Sequence, residues 1–559
     1  MKQVAQMFLT ISLTLSVMCV WPYTAEAQIR HPNIVVIVAD DMGYADIGIH
    51  GCKDIPTPNI DALARAGVRF TDAYVSGPYC SPTRAGLMTG RYPQRFGHEF
   101  NIGGMVPAHR QIGLPLDEVT IADRLRAAGY HTALVGKWHL GVQGRFWPDK
   151  RGFDEFFGFL SGSHGYNDPT PKTNPIFDVD KNGRRIVEKL PYLTDAFADR
   201  AVDFISREKS QPFFLYVAFN AVHEPTEPND KYLARFPNIA NAKRRNYAAV
   251  LSAMDDAIGR IVEALRAENI EDNTLLIFFN DNGGPLPPPP DSWNGSSNAP
   301  LRGRKGEMWE GAIRVPFIIG WKGHLPEGKI YSKPIIQLDV LPTALAAAGI
   351  QVQPQWKLDG VNLIPFLTGK TKGSPHESLY WRTGSIKAIR KGDWKLVKMR
   401  YSRDEEDPAV LSDLSGVELY NLKNDISETK NLASKHPQKV EELKGAWQQW
   451  NRQLAKPGWP PVPATPVQHF VGCLIGSDNY FVLKMDDGRI FRLGNKDQMR
   501  LGEHEGEKVD LAGRVDNSKP QIEAQEEAAF AKRLGIPIPQ GGIDVVMVET
   551  LAKGCFTLP

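Results

Sequence analysis

A cysteine at position 80 is followed by proline two residues on and arginine four residues on, within the run GPYCSPTRAGLMTGRYP. Pro82 suits the first turn of a helix, where its missing N–H removes nothing. Cys80 then stands at a helix amino terminus, where backbone N–H groups and the dipole favour an anion. Thr83 and Arg84 fall on the same turn. A small buried cysteine at a loop–helix junction would read the same way, so the rest of the chain must decide. Four further polar groups each follow an apolar run: Asp40 and Asp41, Lys137 and His139, His223, and Asp281 and Asn282. Each run reads as a strand, and in open α/β sheets ligands bind beyond the carboxyl ends of the strands. Residues far apart in the chain are therefore predicted to meet on one face. Adjacent carboxylates such as Asp40 and Asp41 are costly there unless a cation or solvent takes them. Asp40, Asp41, Asp281 and Asn282 form a hard-oxygen set, which selects Ca²⁺ or Mg²⁺ over zinc. An unmodified Cys80 thiol would be a poor partner for such an ion.

The cysteine run, continued through Leu87, Thr89, Gly90 and Arg91, resembles the signature of the type I sulfatases, in the alkaline phosphatase-like superfamily. A second signature, GYHTALVGKWHLG at 129–141, follows in the right order, and a third, G-x-K-G-x-x-W-E-G, is matched around Lys305. The resemblance runs over roughly residues 32–455 and is closest in kind to arylsulfatases and N-acetylgalactosamine-6-sulfatases. It implies that a maturation enzyme oxidises Cys80 to formylglycine (3-oxoalanine), whose hydrate attacks sulfur. It implies a metal, Ca²⁺ before Mg²⁺, held by Asp40, Asp41, Asp281, Asn282 and the modified Cys80. Lys137 and Lys305 would stabilise the sulfuryl charge, and Arg84 would hold the formylglycine. His223 is the expected general acid and His139 the base for the remaining hydroxyl, although the two histidine roles could be exchanged. The stretches 98–104 (HEFNIGG) and 161–167 (SGSHGYN), with His98 and His164, are expected to line the pocket mouth and contact substrate.

The elements that must position these residues alternate. A β-branched run at 33–39 reads as a strand buried on both faces, followed by an amphipathic helix at 59–67. A helix at 119–129 with Thr120 as N-cap and Gly129 as C-cap leads into a strand at 131–135. Further strands at 212–219, 274–279 and 315–320 enclose helices at 195–208 and 244–267, while 144–195 reads as loop. The pattern predicts a doubly wound, mostly parallel α/β sheet flanked by helices over 28–370. A smaller antiparallel sheet-plus-helix subdomain is expected over 371–455, a Pro-rich linker over 456–466, and an accessory β-barrel-like domain of OB-like type over 467–559.

The chain has 559 residues and a formal net charge of +2, so no bulk charge points to nucleic acid or a membrane surface. Residues 1–27 read as a secretory signal ending in an A-x-A site, with no transmembrane anchor expected and a secreted or periplasmic address. Cys473 and Cys555 could staple the last domain, with Cys52 left as a free thiol. The reading is a sulfuric ester hydrolase acting on a sulfated saccharide or polysaccharide. The alternatives are a phosphate or phosphonate ester hydrolase of the same superfamily and a non-catalytic sulfated-glycan binding protein.

Overall fold

A computed structural model describes residues 31–103, 111–167, 179–186, 190–286, 293–399 and 407–459, and the backbone of strands between 468 and 552. The expected signal segment and Cys555 lie outside the described residues. The chain forms two compact units, Met1–Val462 and Pro463–Pro559.

The strand Asn33–Ala39 runs through the middle of a ten-stranded sheet. It pairs in parallel with Phe213–Ala218 on one side and Thr274–Asn280 on the other. His131–Lys137 and Glu155–Phe159 extend the parallel block, and Phe317–Gly320 runs antiparallel beyond Thr274–Asn280. Successive side chains of a strand point to opposite faces, so its apolar residues divide between two cores. Ile34, Val36 and Val38 join one core, with helix Cys80–Thr89 and the small C-terminal sheet. Val35, Ile37 and Ala39 join the other, under helices Pro58–Ala66, Leu193–Glu208 and Ala242–Ala267. A sheet covered on both faces explains why these strands are almost uniformly apolar.

The helix predicted at 119–129 is Ile121–Ala127, with Thr120 and Asp123 in a reciprocal capping box. One expectation is corrected. Residues 144–195 are not all loop, because Glu155–Phe159 is a strand of the main sheet. Its Gly158 permits close pairing: a Cβ there would lie 1.8 Å from the carbonyl oxygen of Gly136.

Strands Ser378–Thr383, Ile386–Lys391, Trp394–Lys398 and Glu418–Asn421 form an antiparallel four-stranded sheet, backed by helix Pro437–Asn451. A buried ionic cluster ties this sheet to the main one. Lys395 Nζ lies 2.9 Å from both Glu310 and Glu428, and Glu310 also accepts from Tyr74 Oη at 2.6 Å. The first residues of the expected linker are packed rather than free: Gly458 N donates to Gly97 O at 2.7 Å. In the second unit, five strands close into a barrel, and Ile490–Gly494 pairs in parallel with Gly541–Ala552.

Helix Val340–Ala347 packs in the core beside the Cys80 helix and is anchored by Asp339. Asp339 accepts the N–H of Ile336 and of Val361 and lies 2.8 Å from His376 Nε2. Burial alone would lower His376, but the Asp339 carboxylate holds it above its ordinary value of 6.5. A raised folded-state value means the pair stabilises fully below pH 6.5 and loses that contribution as pH rises through the folded value. His376→Ala is therefore expected to lower the melting temperature more near pH 5.5 than near pH 9. Equal losses at the two pH values would contradict this assignment.

Candidate active site

The predicted convergence occurs. Asp40 and Asp41 follow the central strand, Lys137 ends its strand, His223 follows Phe213–Ala218, and Asp281 and Asn282 follow Thr274–Asn280. All of these lie at one end of the parallel block, and helix Cys80–Thr89 begins there. Pro82 sits in its first turn, and Tyr79 precedes it in an extended conformation. Cys80 Sγ is 3.4 Å from Asp40 Oδ1, 3.9 Å from Asp41 Oδ1 and 3.3 Å from Lys305 Nζ.

Each carboxylate has a cation beside it. Lys137 Nζ lies 2.6 Å from Asp40, Lys305 Nζ lies 2.8 Å from Asp41, and Arg84 donates twice to Asp281 Oδ2, at 2.8 and 3.0 Å. Arg84 also donates to Lys137 O at 3.0 Å, so one guanidinium braces two of the strand ends. His223 Nε2 stands 3.5 Å from Asp41, while its Nδ1 contacts Glu224 O at 2.6 Å. A carbonyl partner requires Nδ1 to carry the proton, which leaves Nε2 facing the site. His139 Nε2 likewise faces a carbonyl, that of Ile102, at 3.1 Å. Its Nδ1 is then the acceptor, buried and without a partner among the described residues.

Burial dominates the electrostatics. It pushes the Cys80 thiol well up, helped by Asp281 and Asp40, so the unmodified residue is neither a thiolate nucleophile nor a good ligand. It also pushes His223 down to about 4 and His139 well below its ordinary value. Asp281 is raised by burial and by Asp40. Burial opposes ionisation of Lys305, but Asp41 holds its ammonium well above the ordinary lysine value.

The acidic cluster can hold a metal ion. Asp40, Asp41, Cys80 and His223 each bring a ligand atom within 4.8 Å of the others. Asn282 Oδ1 is buried and has no hydrogen-bond partner among the described residues, although its Nδ2 donates to Asp41 Oδ1 at 2.7 Å. A buried amide oxygen with no donor beside it is suited to ligate a cation.

One sequence expectation is corrected. His98 is not at a pocket mouth: it is fully buried, with its Nε2 2.7 Å from Ser81 Oγ. His164 is also buried, against Phe159, and its carbonyl accepts from Asn220 Nδ2 at 3.1 Å. Residue type alone suggested contact with sugar, whereas the His98 ring packs against Ser81, behind Cys80. Other site residues were not singled out from sequence. Asn280 holds Met42 through both N–H and C=O, and Asn294 Nδ2 bridges the carbonyls of Asp41 and Val222 at 3.2 and 3.0 Å. Asn280 was the readable one, as the polar residue that ends an apolar strand.

Comparison with known proteins points to one family. The sulfatase family model matches residues 32–350, and the model for the C-terminal region of N-sulphoglucosamine sulphohydrolase matches 304–454. Human N-acetylgalactosamine-6-sulfatase is 33% identical over 416 residues, covering 70% of this chain and 77% of its own. Human arylsulfatase A is 35% identical over 463 residues, covering 75% and 87%. The crystal structure of Ps i-CgsB in complex with k-i-k-neocarrahexaose is 38% identical with a TM-score of 0.69, covering 77% of this chain and 95% of that one. The phosphonate monoester hydrolase of Agrobacterium radiobacter, at 19% identity and a TM-score of 0.51, shares the fold. Matched by the family model over more than half its length, the chain belongs to the sulfatase family and is a sulfatase.

Proposed function

We propose that the chain removes sulfate from a sulfated carbohydrate outside the cytoplasm, using the side chain of residue 80, matured to formylglycine, as nucleophile. The observation that carries this reading is the placement of Cys80 at a helix start, 3.3 Å from Lys305 Nζ and facing two carboxylates at the end of the sheet. A thiol raised by burial does nothing useful there, and oxidation would replace it with a group carrying oxygen nucleophiles. Ca²⁺, with Mg²⁺ the alternative, held by Asp40, Asp41, Asp281 and Asn282, would add Lewis-acid stabilisation of charge on sulfuryl oxygens.

The chain's own residues supply the rest. Lys137 and Lys305 bring two ammonium groups to the place where the sulfuryl oxygens gather, and act as the fixed cations of an oxyanion site. Arg84 keeps Asp281 and the Lys137 carbonyl in register. His223 presents Nε2 to the leaving oxygen. Burial holds it near 4, and the negative charge of a bound sulfate ester favours a proton on it. His139, with Nε2–H committed to Ile102 O, takes a proton at Nδ1. General acid–base steps of this kind contribute roughly 10²- to 10⁴-fold each.

Lys305→Ala is expected to lower kcat roughly 10²- to 10³-fold, the scale for loss of one oxyanion-site donor. Steady-state rates on an aryl sulfate, normalised to folded protein, measure this, and an unchanged kcat would contradict the role.

A secretory signal at 1–27 supports an extracellular or periplasmic address, where sulfated polymers are met. Among the described residues, no helix is long and apolar enough to cross a membrane. Similarity to a protein crystallised with k-i-k-neocarrahexaose makes that oligosaccharide the first substrate to try. The test compares release of sulfate from it with hydrolysis of paired aryl sulfate and aryl phosphate esters. A faster rate on the phosphate ester would overturn the proposal.

A further inference from the structure

Cys80 and His139 are held in one frame by residues that lie behind the reacting groups. Ser81 follows Cys80 on the first turn of the helix and is fully buried. Its Oγ donates to the carbonyl of His139 at 2.7 Å, and its N–H donates to Asn101 Oδ1 at 3.0 Å. The hydroxyl proton is thus committed to His139. The 2.7 Å contact between Ser81 Oγ and His98 Nε2 then requires His98 to be the donor. His98 Nδ1 is left as a buried acceptor without a partner among the described residues. Burial keeps the ring neutral, with its value pushed down to about 3.

The same short segment reaches the other partner: the carbonyl of Ile102 accepts from His139 Nε2 at 3.1 Å. Residues 98–102 therefore grip Ser81 at two atoms and the His139 ring at one. The segment is itself held from behind. Trp459 lies against His98, with ring centroids 4.7 Å apart and planes at 76°, and it clusters with Phe100 and Ile102. Two backbone hydrogen bonds lead Trp459 there, Ala455 N to Gln94 O at 3.1 Å and Gly458 N to Gly97 O at 2.7 Å.

We propose that His98 is a positioning residue for the reaction: through Ser81 it sets Cys80 and His139 relative to one another, and Trp459 keeps His98 in place. The proposal rests on the reading of Cys80 as the precursor of the nucleophile. His98 makes no contact with substrate in it. The segment 456–459, which reads as the start of a linker, becomes part of what supports the active site.

The experiment uses the full chain, coexpressed with a formylglycine-generating enzyme, with kcat and KM on an aryl sulfate normalised to the formylglycine content found by mass spectrometry. Displacing a reacting group by about 1 Å costs on the order of 10²-fold. His98→Leu is therefore expected to lower kcat about 10- to 100-fold, with KM changed by less than about threefold because substrate contacts are intact. His98→Gln, which keeps a side-chain N–H donor, recovers most of the rate. Trp459→Ala falls between the two. Ser81→Ala, added to His98→Leu, costs little more, since both remove one linkage. If His98→Leu does not fold, Ser81→Ala alone, which deletes a single hydroxyl, carries the same comparison. Unchanged kcat per formylglycine in His98→Leu or Ser81→Ala, or equal loss in the Gln and Leu variants, would overturn the positioning role. Wild-type protein that carries formylglycine yet leaves the aryl sulfate intact would instead overturn the reading of Cys80, and this proposal with it.

Discussion

Cys80→Ala is expected to reduce sulfate-ester hydrolysis by roughly 10⁴- to 10⁶-fold, the range found when an enzyme loses its nucleophile. The substitution deletes one buried sulfur and leaves the backbone of helix Cys80–Thr89 unaltered, so the melting temperature should move little. Cys80→Ser is the sharper variant. It restores an oxygen of nearly the same size, but a hydroxyl carried on a CH₂ instead of an aldehyde hydrate. If the oxygen alone were sufficient, the serine variant would recover most of the rate. It is expected not to, because in the proposed reaction the aldehyde must be regenerated for sulfate to leave. Rates for both variants, beside wild-type protein of known formylglycine content, decide the point.

Lys395→Met is expected to cost about 3–5 kcal/mol of stability at pH 8, the scale for removing one partner of a buried ionic cluster. Lys395 is fully buried between Glu310 and Glu428. Glu310 keeps Arg314 at 3.1 Å and Tyr74 at 2.6 Å after the change, but Glu428 loses its only nearby ammonium among the described residues. Burial already raises Glu428 to about 7, with Lys395 pulling the other way, so deleting Lys395 raises it further. Below that value the carboxyl takes a proton and becomes neutral. The penalty therefore shrinks as pH falls. Chemical denaturation of wild type and variant near pH 8 and pH 5 measures it, and a loss independent of pH would contradict the assignment. The function is reached through sequence position: Glu310 opens the turn that follows Lys305, so the cluster also anchors the loop that brings Lys305 to Cys80.

Much of the site was legible before any coordinates. Asn33–Ala39 and Thr274–Asn280 are continuous apolar runs, and a strand buried on both faces leaves that trace. The polar residues just past such runs must then gather at one end of the sheet. Cys80 with Pro82 and Arg84 marks a helix start by local chemistry alone. What remained hidden depends on tertiary neighbours. Glu155–Phe159 is a strand because Phe157 and Phe159 pack on Phe197 of a later helix, and its own aromatic and glycine mixture in a loop-like stretch carries little period. His98 reads as a polar group suited to a sugar, and only the fold shows that it is covered and turned to Ser81. Trp459 lies in a Pro-rich run whose composition says linker, yet backbone bonds to Gln94 and Gly97 dock it. The Lys395 cluster joins residues from three separate stretches, and no spacing rule announces it.

In the proposed function, residue 80 acts as an oxidised cysteine. The most direct test of this is mass spectrometry of the tryptic peptide 70–84, from protein coexpressed with a formylglycine-generating enzyme to several different extents, with sulfatase activity measured on the same preparations. Residue 80 is expected as the aldehyde or its hydrate, with activity rising in proportion to the modified fraction and reaching zero where only the thiol is present. Full activity from protein whose Cys80 is entirely unmodified would contradict it.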